Sequence, residues 1–237
     1  MRYGIFSDVH SNLEALETVL SAMSKEKVEK YVCLGDIVGY AANPNECLDR
    51  VRQLPAVVVA GNHDSAAIGH PIIEQFDEVP REAVEWTATQ LTEQNKAWIR
   101  TLPFVAQEGI ATLVHGSLVE PEEFNYIYKR SEIEINFRLM KTPLCFIGHS
   151  HHPWIMEEGA PVAVSQMTCQ GGKKYLVNVG SVGQPRDGDN RASFCIWDSA
   201  DRRIELKRVA YDFQTTQQRI LSAGLPAKFA ERLAAGR

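Results

Sequence analysis

Short apolar runs, each followed by a polar segment, are the feature of this sequence that most constrains its fold. The runs are rich in Val, Ile and aromatic residues and have the length of buried strands. They cover residues 3–6, 31–34, 56–60, 111–114, 144–147 and 175–179. Between the early runs, residues 13–20 carry an apolar stripe at helical spacing, and a shorter helical pattern covers residues 45–51. This βαβ alternation predicts parallel strand pairing at the start of the chain.

The second half of the chain has hairpin spacing instead. Glycine or proline turn signals at residues 159–161 and 171–172 separate strand-like pieces, and residues 192–197 and 203–209 resemble a further antiparallel pair. We therefore predict an α/β fold in which two mixed β-sheets pack together and are flanked by helices, a four-layer αββα sandwich. No internal repeat or linker divides the sequence, so we expect a single domain over residues 1–237.

Two further stretches are predicted to be helical. Residues 66–98 have a mostly helical composition, and the candidate core positions there are Trp86, Leu91, Trp98 and Ile99. A closing amphipathic helix is predicted after Pro226, where Phe229 and Leu233 would complete a core.

Composition excludes several classes of protein. A hydrophobic fraction of 44% and a charged fraction of 23% are those of an ordinary globular chain. The formal net charge of -5 argues against the broad basic surface that binds long nucleic acids, so a phosphate site must concentrate its own positive charge. Five scattered cysteines without a CxxC pair predict reduced core residues. Without a signal peptide or a membrane-spanning apolar run, we expect a cytoplasmic location and no membrane partner.

Residues that can bind a metal follow five of the apolar runs. They are Asp8 and His10, Asp36, Asn62 with His63 and Asp64, His115, and His149 with His151. Loops at the carboxyl ends of parallel strands meet at one edge of a sheet, which brings such residues together. In an extended backbone, the two-residue spacing of each Asp-x-His or His-x-His pair points both side chains the same way. Oxygen and imidazole ligands without thiolate favour Mn, Fe, Ni, Co or Zn.

The ordered blocks resemble the signature of the calcineurin-like metallophosphoesterases, which runs DxH, GD, GNHD or GNHE, a lone His before Gly, and GHxH. All five blocks occur in this order between residues 8 and 151. The chain is most similar to the small bacterial and archaeal phosphodiesterase branch, and residues 178–186 extend the resemblance. Ser/Thr protein phosphatases usually carry GDxxDRG where residues 35–40 read GDIVGY, which weakens a protein phosphatase interpretation.

The resemblance implies two divalent metal ions that share one ligand. One ion would be bound by Asp8, His10, Asp36 and His151, and the other by Asp36, Asn62, His115 and His149. A water or hydroxide shared by both ions would attack phosphorus. In the same comparison, His63 would be the general acid for the leaving group, and Asp64 would orient His63.

Several residues near these blocks have two interpretations. Asn12 is a candidate substrate contact or a helix cap, and Arg186 is a candidate phosphate contact or a surface ion pair. His152 is expected to point away from His149, and His70 is expected in a surface loop. Residues 120–128 are either a specificity lid or a solvated acidic turn.

We expect a phosphodiesterase that acts on a small or nucleotide-like phosphate ester. A dinucleoside polyphosphate hydrolase and a phosphomonoesterase are alternatives on the same site, and a non-catalytic scaffold on the same fold is an alternative of another class. The complete set of presumptive ligands disfavours the scaffold. The chain has neither a P-loop nor a Gly-x-Ser-x-Gly elbow, so nucleotide hydrolases of the P-loop class and serine hydrolases are excluded. The oligomeric state is left open, with a homo-oligomer among the possibilities.

Overall fold

Two six-stranded mixed sheets form the centre of the molecule, which a computed structural model describes for residues 1–162 and 165–237. The strands are β1 (Arg2–Phe6), β2 (Lys30–Cys33), β3 (Ala56–Val58), β4 (Val105–Glu108), β5 (Ala111–Val114), β6 (Leu144–Ile147), β7 (Trp154–Glu157), β8 (Ala160–Val162), β9 (Gln166–Thr168), β10 (Tyr175–Asn178), β11 (Ala192–Asp198) and β12 (Arg203–Val209). The first sheet has the order β3-β2-β1-β11-β12-β9, and the second has the order β4-β5-β6-β10-β7-β8.

Each sheet has a parallel part and an antiparallel part. In the first sheet β1, β2 and β3 are parallel, as the βαβ pattern predicts. In the second sheet β5, β6 and β10 are parallel. The neighbours of these strands, including the β11–β12 pair, are antiparallel.

Helices cover the outer faces of the two sheets. They are α1 (Leu13–Lys25), α2 (Pro44–Arg52), α3 (Asn62–Ala67), α4 (Glu78–Gln90), α5 (Glu93–Ile99), α6 (Arg130–Leu139), α7 (Phe213–Ser222) and α8 (Ala227–Ala235). Two short 3-10 turns lie at Pro71–Gln75 and Pro121–Glu123. Helix α2 begins at Pro44, whose fixed φ suits the first helical turn.

The two-residue period of the strands divides the core into layers. Ile5 and Phe146 project between the two sheets, whereas the adjacent Phe6 packs under α1 and the adjacent Cys145 packs with Phe137 of α6. Burying each such large side chain contributes about 1.5–3 kcal/mol to folding. The order helix, sheet, sheet, helix confirms the predicted αββα sandwich.

The C-terminal segment adds a small core of its own. Phe229 and Leu233 of α8 are buried with Ile220 of α7 and with Tyr40, which lies in the loop after β2. The closing helix therefore completes a core, as its amphipathic pattern predicts. Among the predicted core positions of residues 66–98, Leu91 and Ile99 are buried, but the indole rings of Trp86 and Trp98 are only partly covered.

The hairpin region differs from the sequence-based expectation in its pairing. β7 and β8 form the expected hairpin, but β9 leaves the second sheet and pairs with β12 of the first. The five cysteines are all buried, which confirms that they are core residues. In the described part of the chain, every helix is too short or too polar to cross a membrane.

Candidate metal centre

The seven predicted ligands meet at one edge of the sandwich, where the parallel strands of both sheets end. Their side chains are all buried: Asp8, His10, Asp36, Asn62, His115, His149 and His151. The loops after β1, β2 and β3 bring four of them from the first sheet, and the loops after β5 and β6 bring three from the second. The centre therefore spans the junction between the two sheets.

The backbone at these positions differs from the extended conformation that the two-residue spacing suggested. Asp8 and His10 have φ angles of 55° and 50°, and His149 and His151 have φ angles of 66° and 61°. Asp36 is also left-handed, at 51°. A left-handed residue with a side chain costs about 1–2 kcal/mol, and such strain is concentrated at functional sites. The expectation of extended backbone is wrong, because tight turns aim each pair of side chains inward.

One group of ligand atoms surrounds the first candidate ion position. The Nε2 atoms of His10 and His151 are 3.1 Å apart, and Asp8 Oδ1 lies 3.2 Å from His151 Nε2. Asp8 Oδ1 is also 3.8 Å from His10 Nε2. A carboxylate and two imidazoles at this separation can all reach one cation.

A second group lies beside the first. His115 Nε2 is 3.1 Å from both Asn62 Oδ1 and His149 Nδ1, and it is 3.3 Å from Asp36 Oδ2. The same Asp36 oxygen lies 3.7 Å from His10 Nε2 in the first group. Asp36 therefore stands between the two groups, where one carboxylate can serve both.

The position of the proton on each imidazole ring favours a bound cation over hydrogen bonds within the cluster. The Nδ1–H groups of His10 and His115 donate to the carbonyls of Val38 and Leu34, at 3.1 and 2.7 Å, and His151 Nδ1–H donates to the carbonyl of Gln184. In a neutral ring the other nitrogen then carries a lone pair. The lone pairs of His10 and His151 face each other and repel unless a positive ion lies between them.

The two carboxylates are held in the same way. Asp8 Oδ2 accepts a hydrogen bond from the backbone N–H of His149, and Asp36 Oδ1 accepts one from the backbone N–H of His63. The remaining oxygen of Asp8, Oδ1, is buried and has no hydrogen-bond donor. Because an unpaired buried carboxylate oxygen is costly, this donor set fits a bound divalent metal.

Burial and neighbouring charges shift the pKa values of the cluster. Burial holds the pKa of His10 and of His149 well below the ordinary value, so both rings are neutral ligands. Burial opposes the ionisation of Asp8, but the neighbouring His151 lowers its pKa below the ordinary value. For His115, burial is outweighed by the Asp36 carboxylate, which raises the pKa to about 9. Without a metal, His115 therefore carries the proton that a metal would replace.

Two glycines make room for the carboxylates. A Cβ atom on Gly61 would lie 2.0 Å from Asp36 Oδ1, and one on Gly148 would lie 2.0 Å from Ser7 Oγ and 2.5 Å from Asp8 Oδ2. Any side chain at either position would displace a presumptive ligand. The glycines of the GNHD and GHxH blocks are therefore required by close packing.

Residues 178–184 form a cradle beneath the first block. Ser181 Oγ–H and the Gly183 N–H donate to the carbonyl of Asp8, at 2.8 Å each. Asn178 donates from its side chain to the carbonyl of Gly148, at 2.7 Å. The segment thus ties the loop after β1 to the loop after β6.

A family model for the calcineurin-like phosphoesterase superfamily domain matches residues 1–202. The chain belongs to this superfamily. It is 40% identical to a metallophosphoesterase from Sphaerobacter thermophilus. The crystal structure of that protein superposes on this one with a TM-score of 0.89, over 100% of this chain and 99% of that chain. It is also 38% identical to an uncharacterised protein of Methanocaldococcus jannaschii, over 98% of this chain and 97% of that relative. A hypothetical protein of Pyrococcus horikoshii shares the fold. It is 20% identical, with a TM-score of 0.83 over 100% of this chain and 98% of that chain.

His63 lies at the mouth of this calcineurin-like centre. Its ring contacts those of His10, Tyr40 and Phe76, with centroids 4.5–4.9 Å apart, and it lines a cavity of about 270 Å³ beside the ligands. One of its nitrogens also lies within 4.8 Å of ligand atoms of His10 and Asp36, so His63 is close enough to approach an ion. Burial lowers the pKa of His63 to about 4.

Asp64 has a different position from the one predicted. Its Oδ1 accepts hydrogen bonds from the backbone N–H groups of Ile37 and Val38, and its Oδ2 accepts one from Gly61. His63 Nδ1 has no hydrogen-bond partner among the described residues. The expectation that Asp64 orients His63 is therefore wrong; Asp64 ties the GD loop to the GNHD loop.

The structure also corrects the prediction that Asn12 contacts the substrate. Its side chain is fully buried, accepts from the Ala15 N–H at the start of α1, and donates to the Gly183 carbonyl and to Tyr211. No polar atom of Asn12 is left for a substrate, so it is a helix cap and not a substrate contact.

Arg186 reaches the edge of the site. It donates to Tyr40 Oη at 3.2 Å and to Gln184 Oε1 at 3.1 Å. Among the described residues no carboxylate pairs with it, so the alternative of a surface ion pair is not what the structure shows. Its position leaves it as a candidate phosphate contact.

An aromatic wall is the part of the site that sequence reasoning did not assign. Tyr126 stacks on the ring of His149, with centroids 3.8 Å apart, and Tyr128 stacks on Tyr126 at 5.1 Å. Phe124 is buried with its ring edge against His115. Three aromatics within five residues, next to the acidic segment, were the available signal. Residues 124–128 therefore lie against two of the candidate ligands, and the lid interpretation of residues 120–128 stays a prediction.

Proposed function

We propose that this calcineurin-like protein is a two-metal-dependent phosphodiesterase that hydrolyses a small or nucleotide-like phosphate ester. The observation that carries the proposal is the position of Asp36, whose Oδ2 lies 3.7 Å from His10 Nε2 in one group of ligand atoms and 3.3 Å from His115 Nε2 in the other. A pair of divalent ions, when bound, supplies the charge neutralisation and water activation that phosphoryl transfer requires. Mn, Fe, Ni, Co and Zn suit the mixed oxygen and nitrogen donors.

The residues of the chain have separate tasks in this scheme. The seven ligands would hold the ions. Their buried hydrogen bonds keep the strained, left-handed backbone of the ligand turns in place. Arg186 is aimed at the same opening and can bind a phosphate oxygen through its free N–H groups. His63 donates a proton to the leaving oxygen. Although burial lowers its pKa to about 4, an arriving phosphate anion raises the pKa of a neighbouring imidazole and so favours the protonated form.

The surroundings of the centre support a diester with a flat organic group. The cavity beside His63 is walled by Phe76, Phe124 and Tyr126, and apolar and aromatic walls suit a substrate larger than inorganic phosphate. The similarity of the sequence blocks to the phosphodiesterase branch points the same way.

A matrix of metals and substrates tests the proposal. The purified protein, stripped and then reloaded with Mn, Ni, Co, Mg or Zn, is assayed on p-nitrophenyl phosphate, bis(p-nitrophenyl) phosphate and a dinucleoside polyphosphate. We expect the diester to have the highest kcat/KM, with two ions per chain by elemental analysis. A preference for the monoester or for the polyphosphate would show that the protein is a phosphomonoesterase or a dinucleoside polyphosphate hydrolase instead. No hydrolysis with any metal would favour the scaffold alternative.

The Asp36→Asn variant tests the shared ligand. We expect it to lose at least one ion per chain and about 10³-fold or more in kcat/KM, because charge stabilisation by the metals is lost. Asp49→Asn, on the surface beside Arg52, is the matched control and should keep both ions. Full activity of Asp36→Asn with both ions retained would contradict the scheme.

A further inference from the structure

A second, larger cavity adjoins the one beside His63. Its volume is about 740 Å³, and four residues line both cavities: Tyr40, Asp77, Pro80 and Tyr126. The remaining lining comes from His152, from Arg186, from the C-terminal helix α8 and from Arg237 after it. A substrate bound at the metal centre would therefore have this space directly beside it.

Basic side chains outnumber acidic ones around the second cavity. The basic residues are Arg186, Lys228, Arg232 and Arg237, and the acidic residues are Asp77 and Glu231. In a protein with a formal net charge of -5, this is a local reversal of sign. Within the described part of the chain none of the four basic side chains forms an ion pair, although sixteen ion pairs of other Lys, Arg or N-terminal groups are present. Their positive charges remain available to a ligand.

Helix α8 presents these charges on one face. Lys228 and Arg232 are four residues apart and lie on the cavity side, whereas Phe229 and Leu233 are buried on the adjoining face. Phe229 packs on the ring of Tyr40, with centroids 5.0 Å apart, and Tyr40 in turn contacts His63. The packing of α8 therefore fixes its basic face beside the metal centre.

Helix α8 is not part of the matched family domain, which ends at residue 202. The residues of the metal centre all precede that point, and the basic face follows it. The second cavity therefore lies where residues inside the matched range meet the C-terminal helices beyond it. Side chains of these helices can alter which substrates are accepted without altering the metal centre.

We propose that this cavity binds a second phosphate group of the substrate, so that the preferred substrates carry an additional phosphate beyond the ester that is hydrolysed. The inference rests on the proposed function and specifies its substrate class. Arg186 lines the second cavity and donates to Tyr40, which lines both cavities, so its planar guanidinium can bind either phosphate. Lys228 and Arg232 bind only the second one.

Two matched nucleotide esters test the inference. Thymidine 5′-(p-nitrophenyl phosphate) carries one phosphate, and its 3′-phosphorylated form carries a second. We expect the metal-loaded wild-type protein to have a higher kcat/KM for the 3′-phosphorylated form. The Lys228→Ala/Arg232→Ala variant should lose about tenfold in kcat/KM on that compound, because charged hydrogen bonds are lost, and should be unchanged on the other.

Glu231 provides a control of opposite sign on the same helix. Glu231→Gln removes a negative charge beside the cavity, so it should raise kcat/KM for the 3′-phosphorylated compound about threefold and leave the other unchanged. Lys25→Ala, at the end of α1, controls for a general loss of positive charge. Equal effects on both compounds, or no effect on either, would overturn the inference.

A binding measurement separates this inference from the proposed function. Calorimetry compares thymidine 3′,5′-bisphosphate with thymidine 5′-monophosphate on the metal-loaded protein, where no hydrolysis is needed. Tighter binding of the bisphosphate that disappears in Lys228→Ala/Arg232→Ala supports the second subsite even if neither ester is hydrolysed. Equal affinities would overturn the inference while leaving the metal-dependent hydrolysis intact. If the double variant is unstable, the exposed Lys228→Ala and Glu231→Gln changes carry the same comparison.

Discussion

At the scale of single residues, the centre is defined by how each polar atom is satisfied. The imidazoles of His10, His115 and His151 donate from Nδ1 to backbone carbonyls, which directs Nε2 towards the other ligands, and Asp8 and Asp36 each have one oxygen held by a backbone N–H. These contacts fix both the tautomer and the direction of the ligands before any ion binds. A prepared site of this kind loses little entropy when metal arrives.

His63 is predicted to affect the rate more than the metal content. We expect His63→Ala to retain both ions and to lose about 10²-fold or more in kcat on a diester with a poor leaving group, as removal of a general acid does. With a nitrophenol leaving group the loss should be much smaller. Measurement of kcat over a series of leaving groups, together with elemental analysis, checks this. A variant that loses an ion would show that His63 is instead a ligand, as its closeness to His10 and Asp36 allows.

Metal binding is predicted to release a proton from His115. The neighbouring Asp36 raises the pKa of His115 to about 9, so the ring is protonated near neutral pH and must lose that proton to become a ligand. The metal dissociation constant should therefore fall about tenfold for each unit of rising pH below that value. Calorimetry in buffers of different ionisation enthalpy measures the proton directly. Zero protons released at neutral pH would contradict the prediction.

At the scale of elements, the strands position the loops, and the loops carry the candidate metal ligands. Each of the five ligand loops follows a parallel strand, and the buried strands give the loops a rigid origin. Residues 178–184 then tie two of those loops together through hydrogen bonds from the side chains of Asn178 and Ser181 to backbone carbonyls. The α7–α8 pair reaches the same edge, where Phe229 and Ile220 are buried with Tyr40 and Thr216 donates a hydrogen bond to Asn12.

Phe229 is predicted to hold the C-terminal helices in place. Its side chain is fully buried, so Phe229→Ala should lower the free energy of unfolding by about 3–5 kcal/mol, through lost burial and the cavity left behind. Leu221→Ala, on the exposed side of α7, should change it by less than about 0.5 kcal/mol. Urea titration followed by circular dichroism measures both. Equal destabilisation by the two variants would contradict the packing described.

At the scale of the whole molecule, the metal centre joins the two sheets. Asp8, His10, Asp36 and Asn62 come from the first sheet, and His115, His149 and His151 come from the second. Ions bound between them would resist separation of the sandwich at this edge. Folding and metal binding are therefore expected to be linked.

Removal of metal is predicted to lower the thermal stability. At a free metal concentration of 100 times the dissociation constant, binding contributes about 2.7 kcal/mol, which corresponds to about 5–10 °C in Tm for a chain of this size. Differential scanning calorimetry with and without a chelator checks this. Asp36→Asn, which lacks the shared ligand, should show a smaller shift. An equal shift in that variant would place the stabilising ions elsewhere.

Local order in the sequence was enough to determine the layered fold and the set of candidate ligands. Strands are short apolar runs, helices have an apolar stripe, and metal-binding residues follow the strands, so each can be read from near neighbours. Only the tertiary structure decided how remote segments pair. In the folded chain the ligand turns have left-handed backbone, and Asn12 and Asp64 bind buried backbone groups. Tyr126 lies against a candidate ligand, and α8 lies beside the cavity next to the metal centre. These outcomes depend on contacts between residues far apart in the chain, where no local period carries information.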